Sequence, residues 1–172
     1  MGAPLDLATL DPRARTLVER LGLRPHPEGG YFREAIRSRR RVRAVELGAP
    51  ERAALTSIYF LLVAGTHSRW HRVEADEVWH YYEGAPLELL QVDLAMRALV
   101  VDRLGPVDEE GTRPVGVVPA GCWQAARTTG RYTLVGCSVA PGFEFADFAL
   151  LDDRPAEAAV LRERFDEVRA LG

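Results

Sequence analysis

The residue types best suited to chemistry are concentrated in residues 65–84, which read GTHSRWHRVEADEVWHYYEG. This stretch holds three of the four histidines of the chain, His67, His71 and His80, beside the acidic pair Asp76 and Glu77. Such histidine, carboxylate and aromatic side chains supply metal ligands, general acids and bases, and stacking surfaces. The sequence therefore predicts a functional site in this stretch.

The second half of the stretch is predicted to be a strand over residues 77–83. Alternation of side chains along a strand places Glu77, Trp79 and Tyr81 on one face and His80 on the other. A buried glutamate between aromatic rings would indicate a pocket. The alternative is an ordinary amphipathic strand with Glu77 in solvent, and residue types alone do not separate the two.

Length and composition limit the classes of protein to which the chain can belong. The 172 residues predict one domain over 1–172. The formal net charge of −3, with a local basic excess only at 37–43, disfavours nucleic acid as a partner. All 22 basic residues are arginine, which excludes lysine Schiff-base chemistry. Neither a signal-peptide pattern nor a membrane span is recognisable, so we expect a cytoplasmic protein.

Turn-forming residues divide the chain into the elements that must position the site. Asp11, Pro12 and Gly22 delimit an opening helix, and a closing helix follows Pro155. Cys122 and Cys137 are predicted to be buried free thiols. Between the helices we predict strands over 54–63, 77–83, 87–94, 97–104, 115–118, 123–126, 132–139 and 148–151. Many short strands without intervening helices are typical of an antiparallel sandwich or barrel.

Two motifs resemble those of the cupin superfamily, which consists of small jelly-roll β-barrels. In the first motif Glu77 is followed by six residues and then Gly84, and His71 lies upstream, one residue further from the glutamate than is usual. In the second motif Pro119-Ala120-Gly121 matches, but the histidine position holds Gln124. The chain resembles in particular the family called cupin 5, through residues 21–34, 56–62, 68–84, 118–126 and 136–151.

This resemblance implies a mainly β jelly-roll barrel with an N-terminal and a C-terminal helix, a pocket in the barrel mouth, and a homodimer. It does not imply a reaction, because cupins carry many functions. The usual cupin metal ligands, carried over by position, become Arg69, His71, Glu77 and Gln124. An arginine there opposes a cation, so we predict no metal and no cofactor, while a rearranged site with His67 or His80 stays open.

Three functions remain as hypotheses. In the first, the protein binds a small polar metabolite, sugar- or nucleotide-like, and isomerises or epimerises it without a metal, with His71 as base next to Glu77 or Asp76, and a tyrosine, Tyr59 or Tyr81, as acid. The second is a non-catalytic ligand-binding or sensing module, and the third is a metal-dependent enzyme.

The predicted catalytic residues are His71, Glu77 and Tyr81. The predicted ligand-binding residues are Glu28, Tyr59, Arg69, Trp79, Trp123 and Gln124. For the aromatic members the alternative is that they simply fill the barrel interior. The sequence leaves the orientations of Glu28 and Glu144 open.

Overall fold

The computed structural model describes residues 9–45 and 49–171. The helices are α1 (Pro12–Leu21), α2 (Pro155–Arg164) and α3 (Asp166–Ala170). The strands are β1 (Arg24–Pro25), β2 (Tyr31–Arg37), β3 (Arg41–Arg43), β4 (Glu51–Ala53), β5 (Thr56–Val63), β6 (His67–Val73), β7 (Asp76–Gly84), β8 (Leu87–Val92), β9 (Leu99–Leu104), β10 (Val115–Val118), β11 (Trp123–Thr128), β12 (Tyr132–Ala140) and β13 (Phe148–Leu150).

Two facing antiparallel sheets form the body of the molecule. One has the strand order β1-β2-β5-β12-β7-β10, and the other has the order β13-β6-β11-β8-β9. Strands β3 and β4 form a separate ribbon. The two sheets do not join into a closed barrel, and their arrangement is that of the predicted jelly roll. Within the described residues, none of the helices is both long and apolar enough to cross a membrane.

Side-chain alternation gives each sheet an inner and an outer apolar face. Phe60 of β5, Trp79 of β7 and Leu89 of β8 point inward, into a cluster that the two sheets share. Their sequence neighbours Leu61 and Leu90 point outward instead. Both sheets therefore need a covering layer on their outer faces.

Helices supply these covering layers. Helix α1 begins with Asp11 as its N-cap and ends at Gly22 in the left-handed conformation, as predicted. It buries Leu17 and Val18 against the six-stranded sheet. At the other end of the chain, α2 and α3 pack onto the five-stranded sheet, where Leu161 is fully buried.

Several elements differ from the sequence-based prediction. Strands β1, β2, β3, β4 and β6 were not expected, because their exposed or arginine-rich segments lack a clear apolar alternation. The closing helix is split at Phe165 into α2 and α3. Its N-cap position is Arg154 without a side-chain cap bond, while Asp152 and Asp153 lie in a preceding 3-10 turn.

Candidate functional site

A pocket of about 300 Å³ opens between the two sheets. Strands of both sheets contribute to it, together with the turn between β1 and β2 and the segment that precedes β13. Its lining residues are Arg24, His26, Glu28, Phe32, Glu34, Arg37, Thr56, Ile58, His71, Val73, Glu77, Cys137, Val139, Phe143, Phe145 and Phe148. Three of its buried members, Glu28, His71 and Glu77, are called the floor below.

Glu28 enters the pocket from the tight turn between β1 and β2. Gly29 has a φ of 115°, and a Cβ there would lie 2.3 Å from the backbone oxygen of His67, so glycine is required. The Arg69 backbone N–H donates to the Glu28 carbonyl at 2.7 Å. The turn is thus fixed against β6, and the Ser68 hydroxyl donates to the Glu28 carboxyl at 2.9 Å.

A β-bulge in β6 places His71 beside Glu28. Gln124 of β11 lies opposite His71 and Ala126 lies opposite Ser68, so two residues of β6 face one residue of β11 between these pairs. The extra residue shifts the alternation. Ser68 and His71, three positions apart, therefore lie on the same face, where the Ser68 hydroxyl is 3.4 Å from Nδ1 of His71.

The hydrogen bonds of His71 determine which ring nitrogen faces Glu28. Nδ1 lies 2.8 Å from the Arg69 carbonyl oxygen, which can only accept, so Nδ1 carries a proton. In the neutral ring Nε2 is then unprotonated, and it lies 3.3 Å from Oε2 of Glu28. Burial lowers the pKa of His71, which favours the neutral ring.

Burial raises the pKa of both floor carboxyls. The pKa of Glu28 rises to about 8, against a smaller lowering by its bond from Ser68. The pKa of Glu77 rises to about 7, because burial outweighs the favourable charge of His71. Next to them, burial lowers the pKa of His26 to about 4. The floor therefore holds its protons on carboxyl groups rather than on imidazoles near neutral pH.

Glu77 is oriented by a chain of buried hydrogen bonds. The Trp79 indole N–H donates to Oε1 of Gln124 at 3.0 Å, which fixes the direction of the amide. The amide nitrogen then donates to Oε2 of Glu77 at 2.6 Å. The Cys137 thiol lies against the same carboxyl group. The position of the Glu77 carboxyl is thus fixed from the side of β11 and from β12.

Aromatic rings form the walls of the pocket. Phe148 stacks on His71 at a centroid distance of 5.5 Å, and His26 meets Phe32 edge-on at 4.4 Å. Phe143 and Phe145 extend this surface toward solvent, where Phe145 is 60% exposed. Such walls accept a flat or apolar part of a ligand.

The structure gathers some of the predicted site residues and separates others. Glu28, His71 and Glu77 line the pocket, with Gln124 and Trp79 directly behind Glu77. This arrangement agrees with the prediction that Glu77 is buried in a pocket. It does not agree with the alternative, in which Glu77 faces solvent on an amphipathic strand.

The structure does not bring Tyr59, Tyr81, Arg69 or Trp123 to the pocket. Tyr59 lies on the outer face of the six-stranded sheet, beside the cluster under α1. Tyr81 shares the inner face with Glu77, but its hydroxyl donates to the Gly84 carbonyl near the far end of β7.

Arg69 and Trp123 are held by contacts outside the cavity. The Arg69 guanidinium bonds the Pro27 carbonyl at 2.6 Å. Trp123 lies on the outer face of the five-stranded sheet, under α2 and α3. Asp76, the other candidate partner of His71, accepts from the Ala120 backbone and is exposed.

The four positions inherited from the cupin metal site do not fit a metal ion. Arg69 points out of the pocket, and both polar ends of Gln124 are used by Trp79 and Glu77. His67 and His80 do not join Glu77, since His67 bonds the Leu171 backbone and His80 occupies the opposite face of β7. Within 9–45 and 49–171 no group of three or more His, Cys, Asp or Glu side chains has the arrangement of a metal site.

Sequence reasoning missed Arg24, Cys137 and the phenylalanines as parts of one pocket, and it left open whether His26 reaches the pocket rim. His26 carries a usable signal, because it stands in the same glycine-rich turn as Glu28. Cys137 was correctly predicted to be a buried free thiol, as was Cys122. Its position beside Glu77 depends on the register of β12 against β7, where Cys137 pairs with Trp79.

Solved structures of similar chains agree with this architecture. A protein from Shewanella oneidensis is 34% identical, with a TM-score of 0.79 over 91% of this chain and 95% of that one. A hypothetical protein from Leishmania major is 31% identical, with a TM-score of 0.75 over 87% and 97% of the two chains. Oxalate decarboxylase from Bacillus subtilis, at 21% identity and a TM-score of 0.54, shares the fold over 86% of this chain and 37% of its own.

No curated protein matches the chain. The family model described as the cupin superfamily family Cupin_5 (DUF985) matches residues 15–151, which include every strand of the two sheets and the whole pocket. The chain therefore belongs to the Cupin_5 family of the cupin superfamily.

Proposed function

We propose that the protein binds a small polar metabolite in this pocket and isomerises or epimerises it by proton transfer without a metal. The observation that carries the proposal is the buried group Glu28, His71 and Glu77, in which two carboxyl groups have pKa values raised by different amounts. Pairs of titratable groups with separated pKa values are a common basis for acid and base roles in one site.

The contacts of the two carboxyls assign the roles. The unprotonated Nε2 of His71, 3.3 Å from Oε2 of Glu28, favours a protonated Glu28, whereas the Gln124 amide donates to Oε2 of Glu77 and favours its ionised form. Glu77 is then the base, and the Glu28–His71 pair is the acid. This assignment moves the base from His71, where the sequence suggested it, to Glu77, and it replaces a tyrosine acid by the Glu28–His71 pair.

The proposed step acts on a C–H bond next to a carbonyl group. Glu77 takes the proton from carbon, and the electron pair of that bond forms the double bond of an enol. The carbonyl oxygen receives a proton from the Glu28–His71 pair. In an α-hydroxy ketone this enol is an enediol. When Glu77 gives its proton to the neighbouring carbon and the second hydroxyl gives its proton to the Glu28–His71 pair, the product is an isomer. When Glu77 gives its proton to the other face of the same carbon and the first hydroxyl returns its proton to the pair, the product is an epimer, and either route restores both groups.

The test is deuterium incorporation at carbon. The protein is incubated in D₂O with a panel of small keto-sugars and hydroxy-ketones, and deuterium at carbon is followed by NMR. Glu77→Gln should abolish incorporation, and His71→Gln should lower its rate by about 100-fold, the usual contribution of a general acid or base. The rate should rise as Glu77 ionises near pH 7 and fall as Glu28 loses its proton near pH 8.

His80→Gln is the matched control, because His80 lies on the same strand but on the face that points away from the pocket. It should leave the rate unchanged. Incorporation that persists in Glu77→Gln and His71→Gln would overturn the mechanism, even if a ligand still binds.

A non-catalytic binding module is the second candidate function. It is favoured by the fact that protein donors already engage both floor carboxyls, Ser68 for Glu28 and Gln124 for Glu77. Polar groups held in this way suit recognition of a ligand as well as proton transfer. Mass spectrometry of the small molecules released from denatured native protein, followed by saturable binding of that compound with no deuterium uptake, would favour this candidate.

A further inference from the structure

The two arginines that line the pocket differ in their surroundings. Arg37 forms salt bridges with Glu34 and Glu144, each at 2.9 Å, and its guanidinium also donates a hydrogen bond to the Phe143 carbonyl. Its charge is therefore neutralised. Arg24 has no carboxylate within ion-pair distance among residues 9–45 and 49–171.

Arg24 is nevertheless held at the pocket mouth. It lies on β1, which pairs with β2, and its guanidinium carbon stands 5.0 Å from the centre of the Phe32 ring. Phe32 in turn packs against His26 inside the pocket. A cation held over an aromatic ring keeps its N–H groups available to a ligand.

Apolar side chains line the pocket between its mouth and its floor. Phe145 lies at the exposed end and Phe148 stacks on His71 at the buried end. Ile58 and Val139 line the opposite side, from the six-stranded sheet. A ligand that reaches from the mouth to the floor therefore needs an apolar or flat middle part.

We propose that the pocket takes an organic anion, whose carboxylate or phosphate binds Arg24 while its uncharged polar end reaches Glu28, His71 and Glu77. This inference rests on the pocket of the proposed function and names the class of its ligand. The positive charge of Arg24 would repel a cationic ligand on entry, and a neutral ligand would make no charged contact with it. The planar guanidinium suits both carboxylate and phosphate, because it can bond two of their oxygens at once.

The test is a comparison of ligands that share a ring and differ in charge. Isothermal titration calorimetry of the full chain at pH 6.5 and low salt would use benzoate, phenyl phosphate, benzamide and benzylammonium. We expect at least one of the two anions to bind about tenfold more tightly than benzamide, as one charge-assisted contact would give. Benzoate against phenyl phosphate distinguishes the two anionic groups.

Variants separate Arg24 from general charge effects. Arg24→Gln and Arg24→Met, the second of which keeps an apolar stem on Phe32, should lower anion affinity about tenfold and leave benzamide unchanged. Arg20→Gln, an equal charge change on α1 outside the pocket, should alter neither. Circular dichroism confirms that each variant is folded.

The inference would be overturned if benzamide bound as tightly as the two anions, or if benzylammonium bound more tightly than they do. It would also be overturned if neither anion bound. So would anion affinity that survives both Arg24 variants. These outcomes are independent of deuterium incorporation. The proposed reaction can thus fail while the anion site stands, and the anion site can fail while the reaction stands.

Discussion

Two buried carboxyl groups share one pocket without a buried arginine beside them. The side chains of Glu28 and Glu77 are less than a tenth exposed. Glu28 lies 3.3 Å from His71 and 3.5 Å from His26, and burial lowers the pKa of both histidines. Keeping such groups costs folding free energy once they ionise. A site built for proton transfer or for ligand recognition accounts for this cost better than a packing role would.

The pKa values of these carboxyls predict how stability depends on pH. Glu28 has a folded pKa of about 8 and Glu77 of about 7, both above the ordinary value of 4.5. Above pH 6.5 the folded protein holds protons that the unfolded chain has released, so the free energy of unfolding falls as the pH rises. Between pH 6.5 and pH 8 we expect the titration of Glu28 alone to lower the free energy of unfolding by roughly 1 to 2 kcal/mol.

Urea unfolding across this pH range checks the prediction. Glu28→Gln, which keeps the shape and an acceptor for Ser68, should flatten the dependence. Glu83→Gln is the control, because the Arg13 hydrogen bond lowers the pKa of Glu83 and places its titration at lower pH. A wild-type slope that persists in Glu28→Gln would contradict the assignment. Below pH 6.5 the buried His26, with a pKa of about 4, contributes in the opposite direction.

At the residue scale the sequence named all three residues of the floor as candidates. Glu77 and His71 follow from the cupin motif, and Glu28 from its place in the resembling stretch 21–34. Tyr59 and Trp123 were misplaced because periodicity assigns residues to a face, but not to the inner or outer side of a sheet that is covered on both sides. Arg24 lies in a strand of only two residues, which leaves no periodic signal.

At the scale of elements, α2 is joined to the five-stranded sheet by one carboxyl group. Oε2 of Glu157 accepts from the Arg72 guanidinium and from the Trp123 indole, each at 2.9 Å. The Arg72 guanidinium also lies over the Trp123 ring at 4.8 Å. Glu157 stands in the first turn of α2, where a negative charge is favourable.

Removing this carboxyl should loosen the helix layer. We expect Glu157→Ala to lower the free energy of unfolding by about 2 kcal/mol, because it leaves two largely buried donors without their acceptor. Glu163→Ala, an exposed position on the same helix, should change it by less than about 0.5 kcal/mol. Equal effects of the two substitutions in urea titrations would show that the contact contributes nothing.

The bulge in β6 explains why the element pattern alone does not build the site. Without it, strict alternation would place Ser68 and His71 on opposite faces. The sequence 67–73 contains no glycine to mark the bulge, and the lack of a clear apolar alternation kept the strand itself from being predicted. Helix α1 and the central strands β5, β7, β8 and β12 were predictable, because the caps of α1 and the apolar residues of the strands follow general rules.

At the scale of the whole molecule, one part of the six-stranded sheet carries exposed apolar side chains on its outer face. Val115 and Val117 of β10 and Tyr82 of β7 are each about half exposed. Since β10 is also the edge strand of this sheet, the region presents both apolar surface and unpaired backbone groups. We propose this surface as the contact of the homodimer that the family resemblance suggested.

We expect a dimer in sedimentation equilibrium at micromolar concentration. Val117→Asp places a charge in the proposed contact and should yield monomers. Val101→Asp makes the same change at an exposed position of β9 in the other sheet and should leave the dimer intact. A wild-type protein that is monomeric at this concentration would contradict the expectation.

The burial of both cysteines gives the molecule a built-in chemical reporter. Cys137 is 2% exposed, and burial raises the pKa of its thiol. Within the described part of the chain, the only cavity next to this thiol is the pocket. A thiol reagent must therefore pass Phe145 and Arg24 to reach the sulfur, so its rate of reaction measures access to the floor of the site. In a Cys122→Ser background, slower labelling in the presence of a compound would identify ligands directly, before any reaction is known.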